Sequence, residues 1–210
     1  MICVMLHGLG QTAQSWDKTV AAMEQTGGDL KIARPDLSEL IRDKTPCWNE
    51  LYKSVESYCL NLGEPVNICG LSLGGILALQ FCAEHTDMVN KAALIGAQFV
   101  MPKFMLRVQN LIFRFMPQSA FNGTGFGKSE FLSLARSMEN LNFGDDLQKI
   151  TCPTLVVCGE RDKANKKAAV QMSERISNSK LEIIPNSGHE VNVDAPVVLG
   201  KLLCEFYGGS

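Results

Sequence analysis

The 210-residue sequence lacks several patterns that mark common functional classes. None of its eight cysteines forms a C-x-x-C pair, and no group of cysteines and histidines has the spacing of a zinc site. We therefore expect buried free thiols in a reducing compartment, and neither a metal nor an organic cofactor. The formal net charge of −2 offers no basic surface for nucleic acid, so we expect no nucleic-acid partner.

The sequence also opens without the pattern of a leader segment. Residues 1–8 form an apolar run that is too short for a signal peptide or a membrane span, and no basic stretch precedes it. We interpret residues 2–6 as a strand. This predicts a cytoplasmic protein with no stable membrane insertion.

What the chain does contain is a regular alternation of strand-like and helix-like segments. Apolar residues make up 46% and charged residues 20%, as in a folded globular protein of one domain. Near-continuously apolar strands separated by helices predict an α/β fold with a parallel sheet covered on both faces. The predicted strands are 2–6, 31–34, 66–70, 91–95, 154–158 and 181–184. The predicted helices are 14–26, 47–62, 73–84, 165–177 and 195–206.

One stretch interrupts this alternation. Residues 98–145 are too long for a plain crossover, and we predict that they form a helical lid over a core of residues 1–97 and 146–210. The lid is rich in apolar residues, which either contact substrate or simply pack against the core. Its basic residues outnumber its acidic ones, so it suits an acyl or aromatic substrate, including one with a carboxylate. The basic residues are Lys103, Arg107, Arg114, Lys128 and Arg136.

The most informative motif is Gly-Leu-Ser-Leu-Gly-Gly at residues 70–75, between a predicted strand and a predicted helix. A serine flanked by glycines at this junction has the form of a nucleophile elbow, with Ser72 on a strained turn. The backbone N–H of Leu73 then points to where a developing oxyanion would lie. The simpler alternative is a turn of small residues with no chemical role.

A serine nucleophile needs a base, and the chain has three histidines. His189 lies in a glycine-containing loop after the last predicted strand, and we expect it to be the base. His85 ends the helix that follows Ser72 and is better explained as a partner of the helix dipole. His7 follows the first strand, where we expect its ring to hold the loop through backbone hydrogen bonds; a role as base is the minority interpretation.

The base in turn needs an acidic partner. Asp162 follows the strand at 154–158, and the order Ser72, Asp162, His189 is typical of this type of triad. Glu160 and Asp36 are weaker rivals. We assign Asp194 instead to the N-cap of the closing helix.

A second oxyanion donor is expected from the loop after the first strand. Gly8 and Gly10 allow the backbone to approach a substrate closely there, so the N–H of Leu9 is the candidate.

These motifs together resemble the α/β-hydrolase superfamily. The resemblance rests on His-Gly-Leu-Gly at 7–10 with Ser-Trp at 15–16, on residues 70–75, on residues 153–162 and on Ser-Gly-His at 187–189. It covers nearly the whole chain outside residues 98–145, and the opening is similar to that of enol-lactonases and small carboxylesterases. Members usually have one or two strands before the His-Gly loop. We therefore expect a shortened sheet of about six strands, whose edge strand is either covered or used in self-association.

The resulting functional hypothesis is a serine hydrolase that cleaves a small carboxylic ester, thioester or lactone through an acyl-enzyme on Ser72. Its partner is a small-molecule acyl substrate. Two alternatives remain open: a lyase, C–C hydrolase or perhydrolase that uses the same triad, and a receptor-like binding protein with negligible turnover.

Overall fold

The computed structural model describes residues 1–27, 30–101, 103 and 112–208. The strands are β1 (Ile2–Leu6), β2 (Lys31–Ala33), β3 (Val66–Leu71), β4 (Val89–Ile95), β5 (Thr154–Gly159) and β6 (Ser179–Ile184). They form one sheet in the order β2-β1-β3-β4-β5-β6, and every neighbouring pair is parallel. The predicted α/β fold with a parallel sheet of about six strands is confirmed.

The helices fill the connections between the strands. They are α1 (Asp17–Gln25), α2 (Leu37–Leu40), α3 (Trp48–Leu60), α4 (Leu73–Glu84), α5 (Lys128–Ser137), α6 (Lys166–Arg175), α7 (Val191–Asp194) and α8 (Pro196–Gly208). The five helices predicted for the core are present, and α4 has the predicted bounds. Within the described residues, no helix is both long and apolar enough to cross a membrane.

One predicted helix cap is wrong. The closing helix α8 begins at Pro196, whereas Asp194 is the last residue of the short helix α7. The Asp194 carboxylate instead accepts a hydrogen bond of 2.6 Å from the backbone N–H of Gly188. Asp194 therefore fixes the loop that precedes His189, a contact that depends on the turn made by α7.

Alternate side chains of each strand enter two separate apolar layers, because successive residues of a strand point to opposite faces. In β1, Val4 and Leu6 belong to the apolar layer that also contains residues of α3, α4 and α6 on one face. Cys3 and Met5 pack with α1 and α8 on the other face. Both faces of the sheet are thus covered, which explains why the strands read as continuous apolar runs.

The segment 98–145 is described only in part, since the predicted lid residues at 104–111 lie outside the described residues. A short helical turn at Gln118–Phe121 and helix α5 belong to this segment. Phe131 of α5 packs against Phe113 and Phe121 with ring centroids 5.0 and 5.3 Å away. The role of this segment as a lid stays a prediction.

The parallel order brings the carboxyl ends of all six strands to one edge of the sheet. Leu9 follows β1, Ser72 follows β3, Asp162 follows β5 and His189 follows β6. Residues that lie far apart in the chain are therefore positioned along one edge.

Candidate active site

Ser72 occupies a sharp turn between β3 and α4. Its backbone angles are φ 52° and ψ −112°, a combination that residues with a side chain rarely adopt. The turn is held because the N–H of Ser72 donates to the carbonyl of Ile95 (2.8 Å) and its own carbonyl accepts from Ile76 (3.0 Å). The strained backbone at Ser72 is thus anchored to the neighbouring strand and to the first turn of α4.

The glycines beside Ser72 are required by close packing of the backbone. A Cβ atom at Gly70 would lie 2.1 Å from the carbonyl oxygen of Gly74, and a Cβ atom at Gly74 would lie 2.2 Å from that of Leu6. No substituent fits at such distances from backbone atoms. This explains the Gly-x-Ser-x-Gly pattern.

Asp162 and His189 form a hydrogen-bonded pair. Asp162 Oδ2 lies 2.7 Å from His189 Nδ1. Since the carboxylate only accepts, Nδ1 carries the proton, and in the neutral ring Nε2 keeps its lone pair. Burial tends to raise the pKa of Asp162, but hydrogen bonds from His189 and Asn165 outweigh it and hold that pKa below its usual value.

A cavity of about 380 Å³ opens beside Ser72, Asp162 and His189, and all three residues line it. Most of its remaining wall is apolar. Those apolar residues are Leu9, Leu73, Ile76, Met101, Phe113, Phe131, Ala135, Met138 and Ala164. The structure therefore brings the three predicted catalytic residues to a single cavity that has room for a small organic molecule.

The predicted oxyanion donors Leu9 and Leu73 line the same cavity. In the described part of the chain, neither backbone N–H has a hydrogen-bond acceptor. Leu73 is the first residue of α4, where N–H groups lack intrahelical partners. Both donors are thus available to a group bound in the cavity.

His7 holds the loop that carries Leu9, as expected. Its Nδ1 lies 2.9 Å from the carbonyl of Gly8, and its Nε2 accepts from the N–H of Leu37 (3.0 Å). Nδ1 is therefore the protonated nitrogen. Burial lowers the pKa of His7, which favours this neutral form.

The remaining predicted candidates lie outside the cavity lining. Glu160 is exposed, and its carboxylate accepts from the N–H of Asn186 (2.9 Å). Asp36 caps α2 by accepting from the N–H of Ser38 (3.0 Å). His85 ends α4, and its ring lies 2.7 Å from a Glu56 carboxylate oxygen.

One group of described residues brings together side chains that metals bind. Glu56, Glu84 and His85 have ligand atoms within 4.8 Å of one another. These atoms are already paired, since Glu56 contacts His85 and Glu84 accepts from Tyr52 and Gln80. The group lies at the end of α4 opposite Ser72, about 18 Å along the helix, so it has no part in the site.

The described basic residues of the segment 98–145 do not line the cavity. No lysine or arginine is among the described residues of the cavity wall. Lys103, Arg114 and Arg136 are exposed, and Lys128 donates to the carbonyl oxygens of Arg114 and Met116. Arg107 lies outside the described residues. The net charge of a segment does not determine which way its side chains point.

Four polar residues around the site had no signal in the sequence. Asn165 contacts the Asp162 carboxylate, and Gln98 in turn contacts Asn165. Gln11 and Asn192 connect the loop of Leu9 to the residues after His189. Spacing and periodicity in the sequence do not identify these four residues, because each contact joins segments that only the folded sheet brings together.

Known proteins share this architecture. The enol-lactonase from Burkholderia xenovorans LB400 superposes with a TM-score of 0.81 over 99% of this chain and 91% of its own, at 16% identity. The monoacylglycerol lipase ABHD6 of Mus musculus is 24% identical over 162 residues, 68% of this chain and 48% of that protein. The match therefore spans about half of the mouse relative.

A further relative is matched over most of both chains. The (E)-2-((N-methylformamido)methylene)succinate hydrolase of Acinetobacter baylyi is 22% identical over 92% of this chain and 85% of its own. The model of the alpha/beta hydrolase family matches residues 3–200. With that match over nearly its whole length, and with the parallel sheet and serine turn described above, this chain is a member of the alpha/beta hydrolase family.

Proposed function

We propose that the protein is a serine hydrolase that cleaves a small carboxylic ester, thioester or lactone. The observation that carries the proposal is the meeting of Ser72, Asp162 and His189 at one cavity, with Asp162 and His189 joined at 2.7 Å. Nucleophile, base and orienting acid are the minimum set for activating a serine hydroxyl.

In the first half of the proposed reaction, Ser72 Oγ attacks the substrate carbonyl carbon. His189 Nε2 takes the hydroxyl proton as the new C–O bond forms. The carbonyl oxygen becomes an oxyanion, to which the N–H groups of Leu9 and Leu73 donate. Asp162 stabilises the imidazolium without accepting its proton.

In the second half, the tetrahedral intermediate collapses to an acyl-enzyme on Ser72. The bond to the leaving oxygen or sulfur breaks, and His189 gives its proton to that atom. Water then attacks the acyl carbonyl while His189 takes a proton from it, and the carboxylic acid departs as Ser72 recovers its proton.

The cavity wall favours an uncharged, apolar acyl group. In the lining that the structure describes, Asp162 and His189 are the only ionisable side chains. A carboxylate on the substrate would lose its hydration there without gaining a cationic partner. We further propose that residues 98–145 cover this site, since Phe113 and Phe131 form part of its wall.

The relatives are consistent with this chemistry. Their names are those of a lipase, a hydrolase and a lactonase. Esters and lactones both present a carbonyl carbon next to a leaving oxygen, so one arrangement of serine and oxyanion donors suits both.

Intact mass after incubation with a fluorophosphonate tests the nucleophile. Wild type and the control variant Ser57→Ala, which changes an exposed serine on α3, should each gain one adduct, and Ser72→Ala none. On a panel of short-chain esters, thioesters and lactones, we expect Ser72→Ala to lower turnover by roughly 10⁴–10⁶-fold.

Other outcomes would redirect the proposal. An adduct on wild type without turnover of the panel would favour a C–C hydrolase, lyase or perhydrolase that uses the same triad. A folded wild type without an adduct, which nevertheless binds a small molecule tightly, would favour a receptor-like protein.

A further inference from the structure

Asn165 occupies a capping position that its side chain does not use. It is the residue before the first turn of α6, where an asparagine normally accepts from an N–H of that turn. No such hydrogen bond is made. The side chain is buried and turns away from the helix towards Asp162.

The Asn165 amide spans both oxygens of the Asp162 carboxylate. Asn165 Nδ2 lies 2.9 Å from Oδ1 and 2.8 Å from Oδ2, and the backbone N–H of Asn165 donates to Oδ1 at 3.3 Å. His189 Nδ1 lies 2.7 Å from Oδ2 and 3.1 Å from Asn165 Nδ2. The carboxylate is therefore held from two directions, by one imidazole and one amide.

Gln98 fixes which way the Asn165 amide points. Gln98 Nε2 donates to Asn165 Oδ1 at 2.8 Å and to the carbonyl of Ala164 at 3.1 Å. A reversed Asn165 amide would place its carbonyl oxygen against the Asp162 carboxylate and its NH₂ against that of Gln98. Both contacts would be repulsive, so Gln98 selects the donating orientation.

We propose that Asn165 is a positioning residue for the catalytic acid, and that Gln98, on the cavity wall, holds Asn165 in that role. The inference rests on the proposed function, because it assigns Asp162 to the triad. Asn165 fixes the plane of the carboxylate, and the carboxylate fixes the His189 ring beside the cavity that Ser72 also lines. A chain of three hydrogen bonds thus connects Gln98, which lines the cavity, to the base.

These hydrogen bonds also explain why asparagine stands at position 165 although its side chain does not cap α6. A serine or aspartate at position 165 would cap α6 at least as well as asparagine. Neither supplies an NH₂ group to the carboxylate. A residue that only stabilised the helix would therefore be replaceable by serine without effect on chemistry.

Two variants of Asn165 separate positioning from capping. Asn165→Ser removes the amide and keeps a capping side chain; Asn165→Asp replaces the NH₂ group with a second carboxylate oxygen. The matched control is Asn178→Asp, which adds the same charge at an exposed position after α6. The readout is the rate of fluorophosphonate labelling of Ser72 as a function of pH, with urea unfolding measured in parallel.

For Asn165→Ser we expect labelling at neutral pH to slow by roughly 10- to 100-fold, because a misplaced catalytic group costs about that much. The urea midpoint should fall at most slightly, because a serine cap on α6 offsets part of the hydrogen bonding that is lost. For Asn165→Asp, the acidic limb of the profile should move to higher pH by about one unit or more, because a second carboxylate beside Asp162 stabilises the protonated form of the Asp162–His189 pair. Asn178→Asp should match wild type in both measurements.

The ionisable groups near Asp162 on β5 and α6, Cys158 and Lys166, do not affect the acidic limb of the pH profile. Burial raises the pKa of the Cys158 thiol to about 11, well above the acidic limb. The positive charge of Lys166, next along α6, only partly offsets this rise. The acidic limb therefore reports the Asp162–His189 pair.

Gln98→Met tests the second link of the chain. It keeps the side-chain length and removes the donor to Asn165, so labelling should slow by less than it does in Asn165→Ser. Wild-type rates and profiles in Asn165→Ser and Asn165→Asp would overturn the inference. If wild type itself were not labelled, the proposed function would fail first, so the two failures are distinguishable.

Discussion

The side-chain amides of Gln11 and Asn192 donate hydrogen bonds to each other. Gln11 Nε2 lies 3.2 Å from Asn192 Oδ1, and Asn192 Nδ2 lies 3.1 Å from Gln11 Oε1. Both residues are buried. Gln11 Oε1 also accepts from the N–H of Gly8, so the pair connects the loop of Leu9 to the helix that follows His189.

This pairing predicts a coupled effect on stability. Gln11→Leu leaves Asn192 Oδ1 without its donor, and Asn192→Leu leaves Gln11 bonded only to Gly8 and Glu190 among the described residues, so each should cost about 1–3 kcal/mol. The double variant removes both amides and should be destabilised by less than the sum. Urea unfolding of the four proteins measures this difference, and strictly additive losses would contradict the coupling.

The assignment of the catalytic acid to Asp162 rather than Glu160 predicts different effects of the two variants on turnover. Asp162→Asn keeps the size of the side chain but removes the charge that holds the His189 Nδ1 proton, so we expect a loss of turnover of up to about 10⁴-fold. Glu160→Gln changes an exposed side chain that accepts from the Asn186 N–H and does not line the cavity, so turnover should stay within a few-fold of wild type. Steady-state rates on one ester suffice, and a reversed ranking would assign the role to Glu160.

The buried His7 predicts a dependence of stability on pH. Burial lowers its pKa below the usual 6.5, so the unfolded chain binds a proton more readily than the folded chain does. The His7 contribution is present above pH 6.5 and is lost as pH falls from there towards the folded pKa. One such proton changes the free energy of unfolding by at most about 1.4 kcal/mol per pH unit.

Urea unfolding between pH 7.5 and 5 measures this slope. His7→Gln should flatten it by removing the titrating group. His85→Gln is the matched control, because it keeps His7 and should keep the His7 share of the slope. Equal slopes in wild type and His7→Gln would show that His7 does not titrate in this range.

Backbone strain at Ser72 gives a fourth prediction, which concerns stability alone. Positive φ with ψ −112° costs a residue with a Cβ atom about 1–3 kcal/mol, and glycine much less. Ser72→Gly should therefore unfold at a higher urea concentration than Ser72→Ala, although both lack the nucleophile. An equal or lower midpoint for Ser72→Gly would mean that the turn is not strained.

The fold was predictable from the sequence because each element carries its own local signal. The runs at β3 and β5 are apolar over their full length, and Gly70 and Gly74 mark the turn around Ser72. The short helices α2 and α7 were not predicted, since four-residue helices have no periodicity to detect. Asp194 was wrongly predicted to cap the closing helix because the short helix α7, which it ends, was not predicted.

The candidate site was predictable only where a residue type and its place after a strand agreed. Ser72, Asp162 and His189 meet that condition. Asn165 fits the pattern of an ordinary helix cap, and its contact with Gln98 exists because β4 lies beside β5 in the sheet. Such contacts depend on strand order, which single-sequence patterns do not encode.

The origin of the cavity wall has an evolutionary consequence. Met101, Phe113, Phe131, Ala135 and Met138 all come from the single stretch of chain between β4 and β5. Replacement or insertion within that stretch can alter which molecules fit while the sheet and its loops stay unchanged. Descendants of one such sequence can therefore diversify in substrate range without rebuilding the chemistry.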